Sequence, residues 1–315
     1  MSFAQTTVRS MNRPRCEIQV ARVSTDMSVL SNSSSHLVRY TGNMSARPGA
    51  RARCAMDLGF KERIAMVTGS SQGIGRATAV LLGQEGAHVA VTYHDQREKA
   101  EAVVEEIGRA GGEAMAIGLD LASDESIHAA ARMVIERWGR IDILVNNAVQ
   151  HGARPPWKRS PPWSVPPFED VPANEWRPLL RANTEGHYAA IQAALPSMRA
   201  QHWGRIVNLS SGIAADGLPG SAPYAAAKAA LHGLTRTLSK ELGPAGILVN
   251  VVMPGLTWTE QSATRVPPAI RERVEQTSPL RRVLPPEEVV PMIVFLCSAA
   301  NTAVTGEVIR VSGGM

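Results

Sequence analysis

Two patterns alternate along most of the chain: short apolar runs, and apolar stripes at helical spacing. Arg63–Thr68 (RIAMVT) is a run that ends in a glycine-rich turn, and helical spacing follows over Arg76–Gln84. His88–Tyr93 (HVAVTY) is the next run, and Ala100, Val103, Val104 and Ile107 then fall on one helical face. Ala114–Leu119 reads as a strand, and Ile127, Ala131, Val134, Ile135 and Trp138 form another stripe. Strands at Ile141–Val145 and Arg205–Leu209 flank a helical stretch over Asn174–Arg199. A helix at Tyr224–Glu241, a strand at Ile247–Val252, a helix at Glu287–Ser298 and a strand at Glu307–Val311 complete the series. Strands that alternate with helices imply an α/β fold with a parallel sheet covered on both faces. Right-handed crossovers then make that sheet doubly wound, of about seven strands, with its ligand beyond the strand C-termini at the switch point. The stretch 56–315 suits one such domain, and no second domain is evident.

Residues 1–55 break the pattern. They hold the polar run Ser31-Asn32-Ser33-Ser34-Ser35 and no sustained period of either kind. The chain has 33 Lys+Arg and 28 Asp+Glu, a net +5, but the excess lies in this leader. It carries eight Arg, no Lys and only Glu17 and Asp26 as acids, while residues 56–315 carry 25 basic and 26 acidic residues. Three readings fit the leader: a disordered appendage or residues read upstream of a start at Met56, a cleaved organellar targeting peptide, or a nucleic-acid arm. The near-neutral body and the missing aromatic platforms argue against nucleic acid as a partner. No stretch approaches the length of an apolar membrane span, and there is no secretory apolar core. Cys16, Cys54 and Cys297 form neither a disulfide framework nor a zinc spacing, which suits the cytoplasm.

Candidate chemistry begins at Thr68-Gly69-Ser70-Ser71-Gln72-Gly73-Ile74-Gly75, between the first strand and the first helix. A phosphate that approaches backbone N–H groups at a helix N-terminus would be blocked by a Cβ, so glycines at this junction point to a dinucleotide. Further on, Tyr224 and Lys228 share a face of an alanine-rich helix. A free Tyr titrates near pH 10, too high for efficient proton transfer at neutrality, and a neighbouring ammonium is expected to lower it. Ser210 and Ser211 follow the strand Arg205–Leu209, at the strand end where ligand-facing residues collect.

The Gly-x-x-x-Gly-Ile-Gly turn, Asn146-Asn147-Ala148, Ser211, Tyr224-x-x-x-Lys228 and Pro254-Gly255 resemble, in order and spacing, the short-chain dehydrogenase/reductase family. The resemblance runs from Met56 to Met315, and within the family it is strongest to ketoreductases of the 3-oxoacyl-carrier-protein reductase kind. It implies a Rossmann-like domain that moves hydride between a nicotinamide dinucleotide and a carbonyl or secondary alcohol. It also implies a catalytic set of Asn183, Ser211, Tyr224 and Lys228. Tyr224 is the proton donor, Ser211 binds the substrate oxygen, Lys228 also holds the nicotinamide ribose, and Asn183 holds a water that links Lys228 to solvent. The cofactor set is Gly69, Ser71, Gln72, Gly73, Ile74, Gly75, Tyr93, His94, Asp120, Leu121, Asn147, Ala148, Tyr224, Lys228, Pro254, Gly255 and Thr259. No metal is implied. A homotetramer or homodimer through the Tyr224 helix and its neighbour is. A sugar or polyol dehydrogenase and a catalytically silent dinucleotide-binding regulator are the alternative readings, and the intact catalytic set disfavours the regulator.

In this fold an acid at the end of the second strand selects NAD. Tyr93 occupies that place here, which favours NADP(H), with Arg97 or His94 to pair with a 2′-phosphate and Ser70 or Ser71 to hydrogen-bond it. Two stretches depart from the family pattern, and a third, after Pro254-Gly255, is by resemblance the substrate lid. Val149 follows Asn146-Asn147-Ala148 where Gly is usual, so the loop beside the cofactor is expected to differ. Gln150–Phe168 is long, with six Pro, Trp157, Trp163, Arg154, Lys158 and Arg159, and reads as a stiff substrate-side flap suited to an acidic substrate. Leu256–Pro286 reads as an irregular, proline-interrupted lid, whose Leu256 and Trp258 either line an apolar pocket or pack under the lid.

Overall fold

Seven strands form, each on one of the predicted apolar runs: β1 (Ile64–Val67), β2 (His88–Tyr93), β3 (Glu113–Gly118), β4 (Ile143–Asn146), β5 (Gly204–Leu209), β6 (Ile247–Pro254) and β7 (Val308–Val311). They come from a computed structural model that describes residues 57–151 and 164–315. The leader, and the insertion's Trp157, Trp163, Arg154, Lys158 and Arg159, lie outside the described residues. All neighbouring strands are parallel, in the order β3-β2-β1-β4-β5-β6-β7. Winding therefore reverses between β1 and β4, whose ends meet at the pair Val67 and Val145. A crevice opens there beyond the strand C-termini.

Successive strand residues serve opposite faces. Ala65, Val67, Val145 and Val207 join one core cluster, while Ile64, Met66, Leu144 and Ile206 join the other. Both faces are buried, which is why the strands read as continuous apolar runs and not as alternation. Each fully buried Ile or Leu side chain stabilises the fold by about 1.5–3 kcal/mol.

The helices are α1 (Gly73–Gln84), α2 (Arg97–Arg109), α3 (Asp124–Trp138), α4 (Ala173–Leu180), α5 (Gly186–Ala200), α6 (Ile213–Asp216), α7 (Ala222–Leu242), α8 (Glu260–Arg265), α9 (Pro268–Thr277) and α10 (Pro286–Cys297). The α3 boundaries follow from local chemistry. The Ser123 hydroxyl accepts from Ser126 N at 3.2 Å, Asp124 and Glu125 face the positive end, and Gly139 closes the helix at φ 85°. Among the described residues no helix is long and apolar enough to cross a membrane.

Two segments differ from the sequence reading. The helical stretch expected over Asn174–Arg199 forms without a break, but a π-helical turn at Arg181–Glu185 stands between α4 and α5. Such turns collect at functional sites, and this one contains Asn183. The lid expected to be irregular holds α8 and α9. Pro267 and Pro268 do not break α9 but start it, because proline at the first helical position costs no hydrogen bond.

Candidate active site

The turn between β1 and α1 is shaped by what its glycines lack. Gly69 and Gly73 have φ of 61° and 57°, which side chains rarely adopt. A Cβ on Gly75 would lie 2.4 Å from both Asn147 Nδ2 and Gly69 O. From the other side, Asn147 Nδ2 donates to Thr68 O (2.9 Å) and Gly69 O (3.0 Å). The Thr68 hydroxyl accepts from Asn147 N and Ala148 N, both at 2.9 Å. Asn147 and Ala148 thus hold the turn from beneath. Val149 is not among the residues with positive φ, so the loop accommodates a β-branched residue with ordinary backbone geometry.

No side chain caps α1 at Gln72, and its first turn contains no acid. Its free N–H groups and positive end suit a diphosphate. A Cβ on Gly73 would fall 3.2 Å from Thr259 Cγ2, so Thr259 faces the turn across the space that glycine leaves open. The Thr259 hydroxyl itself accepts from Ser262 N at 3.1 Å as the cap of α8. These features fit a dinucleotide. Ile74 packs on the core beneath, and Leu121 is buried against Gly186, whose Cβ would meet Leu121 O at 2.3 Å.

Two expectations for the adenosine end need correction. Ser70 is fully buried, and its hydroxyl donates to Val67 O (2.8 Å) and accepts from Thr92 N (2.9 Å), so it has no capacity for a phosphate. Ser71 retains a little exposure. Arg97 turns to Glu101 at 2.7 Å instead of toward β2. Tyr93 ends β2, His94 contacts Asp95 and lies 3.8 Å from Asp120, and Asp120 Oδ1 accepts from Gln150 Nε2 at 3.0 Å. The sequence reading missed Lys99, whose Nζ donates to Gln72 Oε1 at 3.3 Å.

Ser211, Tyr224 and Lys228 meet at the C-terminal ends of β5 and β6. The Ser211 hydroxyl stands beside the Tyr224 phenol and accepts from Ile213 N at 3.3 Å. Lys228 is buried, and its Nζ donates to Leu209 O at 2.8 Å. Burial pushes the ammonium down to about 7. The expectation that Lys228 lowers the Tyr224 pKa does not hold. Burial drives the phenol above its usual value, and only the neighbouring Ser211 hydroxyl pulls it back. Ser210, the neighbouring candidate, turns inward to Lys228 O (3.1 Å) and His232 Nε2 (2.7 Å). Pro254 O accepts from Gly212 N at 2.9 Å, and Gly255 N donates to Val311 O at 3.2 Å, which ties the Ser211 loop to β6 and β7.

The Asn183 side chain makes three hydrogen bonds. Oδ1 accepts from Gln150 N (3.0 Å), and Nδ2 donates to Gln150 O (2.7 Å) and Leu179 O (2.9 Å). It holds the loop after β4, and Oδ1 keeps a second lone pair. Trp258 lies under Arg271 of α9, with the guanidinium 4.3 Å from the ring centroid, so it packs with the lid. Two histidines near the site, the buried His187 and the half-buried His151, were also missed. His187 donates Nε2–H to Ala148 O at 3.0 Å, and burial and the Lys228 charge depress it to about 3. His151 stands beside Tyr224. Among the described residues no group of three or more His, Cys, Asp or Glu is placed to hold a metal ion.

The family model for enoyl-(acyl carrier protein) reductase matches residues 69–315. The chain belongs to the short-chain dehydrogenase/reductase family and is an oxidoreductase that acts on carbonyl and hydroxyl groups. It is 37% identical over 261 residues to 3-oxoacyl-acyl-carrier-protein reductase FabG of Aquifex aeolicus, covering 82% of this chain and 100% of that one. It is 36% identical over 255 residues to the 3-oxoacyl-acyl-carrier-protein reductase of a Synechocystis species, covering 80% of this chain and 96% of that one. Among solved structures it is similar to a 7α-hydroxysteroid dehydrogenase complexed with NADH and 7-oxo glycochenodeoxycholic acid. The TM-score is 0.75 and the identity 31%, over 82% of this chain and 96% of that one.

Proposed function

We propose that residues 56–315 form a cytoplasmic NADP(H)-dependent ketoreductase of 3-oxoacyl thioesters, assembled as a homodimer or homotetramer through α7 and α5, and that residues 1–55 take no part in turnover. The observation that carries the reading is Ser211 beside the buried Tyr224 phenol, with a buried Lys228 at the strand ends, next to an uncapped, glycine-shaped helix N-terminus. The names of the FabG relatives support the substrate class. Tyr93 in place of an acid, and Lys99 and His94 beside the adenosine end, support the 2′-phosphate.

In this reading Gly73, Ile74 and Gly75 offer their N–H groups to the diphosphate, with Ser71, Gln72 and Thr259 around it. Asn147 and Ala148 form the floor, and Asp120 lies toward the adenine. A bound nicotinamide supplies or accepts the hydride. Tyr224, kept protonated by burial, gives its proton to the carbonyl oxygen. Ser211 turns its hydroxyl to the same oxygen and stabilises the developing charge. Lys228, poised near neutrality, restores the phenol proton. The test is oxidation of NADPH and of NADH by the purified chain with acetoacetyl thioester, cyclic ketones and sugars. Preferred oxidation of NADPH by the thioester is expected. Turnover confined to sugars or polyols would overturn the substrate reading, and a preference for NADH would overturn the cofactor reading.

A further inference from the structure

We propose that Asp216 and Arg310 are positioning residues for Ser211: their ion pair fixes the turn that carries its hydroxyl, and so sets the rate of reduction without contacting substrate. The inference deepens the role proposed for Ser211 and rests on it.

The first support is how the turn is held. Ser211 leads into α6, a helix of four residues with no buried residue. A helix this short is unstable by itself, because one turn does not repay the cost of nucleation. Without a buried side chain it gains no apolar anchor either. Within the turn, Ala214 N donates to Ser211 O at 2.9 Å, and Ala215 N and Asp216 N donate to Gly212 O at 3.0 and 2.9 Å. Two ties hold it to the sheet. At its start, Gly212 N donates to the O of Pro254, the last residue of β6, at 2.9 Å. At its end, Asp216 meets Arg310 of β7, with Nη1 donating to Oδ2 at 3.0 Å and Nη2 to Oδ1 at 2.8 Å. Arg310 is in register with Met253, the residue just before Pro254. Both ties therefore seat the turn on the same corner of the sheet.

The second support is the form of the contact. Two parallel N–H···O bonds between planar groups fix orientation as well as distance. The side chains of Asp216 and Arg310 are 56% and 32% exposed, and pairs so exposed contribute little to stability. What this pair supplies is geometry, and the path from it to the Ser211 hydroxyl is short. Ile213 N donates to Ser211 Oγ at 3.3 Å, so the hydroxyl is bonded to the first residue of α6. The Asp216 carboxylate folds back over the residue after Ser211, where a Cβ on Gly212 would lie 3.6 Å from Oδ2. A shift of α6 thus carries the Ser211 hydroxyl away from its place beside the Tyr224 phenol. Misplacement by about 1 Å can cost about 100-fold in rate.

The test compares the full chain with four variants. Arg310→Met keeps the stem and removes the charge. Asp216→Asn breaks the pair but leaves the bond from Arg310 to Met315 O (2.7 Å) in place. The exchange of Asp216→Arg with Arg310→Asp rebuilds a pair in reverse, and the last variant joins Arg310→Met to Ser211→Ala. Each is assayed with NADPH and with NADH on acetoacetyl coenzyme A and cyclohexanone. Either single variant is expected to lower kcat about tenfold, with KM and dinucleotide affinity, read by fluorescence titration, held within about twofold. Melting temperatures should stay within about 2 °C of wild type. The exchange should recover most of the loss. On the Ser211→Ala background, Arg310→Met should cost less than about twofold more, because the group it positions is already gone. Independent, multiplying losses on that background, a rise in KM at unchanged kcat, a melting temperature that falls with kcat, or no recovery in the exchange would overturn the assignment. A Ser211→Ala loss beside single variants indistinguishable from wild type overturns this assignment alone. Ser211→Ala that turns over at the wild-type rate overturns the role of Ser211 and this one with it, as does wild-type protein that reduces neither substrate.

Discussion

The crevice has two walls built in different ways. The wall at β1, β2 and the Asn146–Ala148 loop consists of buried backbone and buried polar groups: Thr68, Ser70, Thr92 and Asn146 are each 0% exposed. The opposite wall is formed by α8 and α9, neither of which has a buried residue, and by the end of the insertion. The first wall takes its shape from the fold itself and can do only one thing, receive a diphosphate-bearing ligand. The second takes its character from side chains laid on a surface, where substitutions away from special features change stability by only about 0.5 kcal/mol. Chemistry that must not vary sits on the rigid wall and along β5 and α7, and selectivity sits on the other.

The largest expected effect separates these functions outright. Tyr224→Phe should lower carbonyl reduction by at least ~10²-fold while dinucleotide affinity is retained, as read by steady-state rates and fluorescence titration. A variant that loses both together would mean that the walls are not independent. Acid comes next. His187 and His151 have folded-state values of about 3 and about 4, below the ordinary 6.5. The unfolded chain therefore binds protons that the folded one refuses, so their contribution to stability is intact above about pH 6.5 and shrinks as pH falls. By pH 5 the loss is roughly 2 kcal/mol for each histidine, measurable by urea unfolding at pH 7 and pH 5. His187→Gln should flatten that slope, and an unaltered slope would sink the assignment.

Gly75→Ala follows in size. Its Cβ meets Asn147 and Gly69 at 2.4 Å, so a loss of about 1–3 kcal/mol and weakened dinucleotide binding are expected in melts and titrations. The smallest effect has the opposite sign. Gly108 on α2 has nothing within 4 Å of its would-be Cβ, and Gly108→Ala should stabilise by about 0.5–1 kcal/mol in the same unfolding assay. If both alanines behaved alike, close approach would not be what requires glycine at the turn.

The same contrast explains what the sequence reveals. All seven strands and the turn glycines are legible because doubly buried strands and phosphate cradles leave patterns that few other structures need. Ser211, Tyr224 and Lys228, which the proposed function makes catalytic, stand out by order and spacing. The lid helices are not, because α9 buries no side chain and so carries no apolar stripe, and its two prolines look like breakers. Thr259 and Ser262 were the usable sign of α8, since they satisfy each other as a capping box. The direction of the Tyr224 shift is illegible for another reason: it is set by how deeply the phenol is buried, which spacing along a helix does not reveal. The pairings of Arg97 with Glu101 and of Lys99 with Gln72 are likewise choices of rotamer, not of sequence.

The Asn183 clamp has a consequence for how such an enzyme acquires new substrates. It grips Gln150 through the main chain, so its two bonds survive replacement of that side chain by almost any other. Residues at the mouth of the crevice can then be exchanged without loosening their mounting. The anchor works like a socket that accepts different fittings, and diversification at positions 149–151 is where a library would explore new selectivity at least risk to the fold.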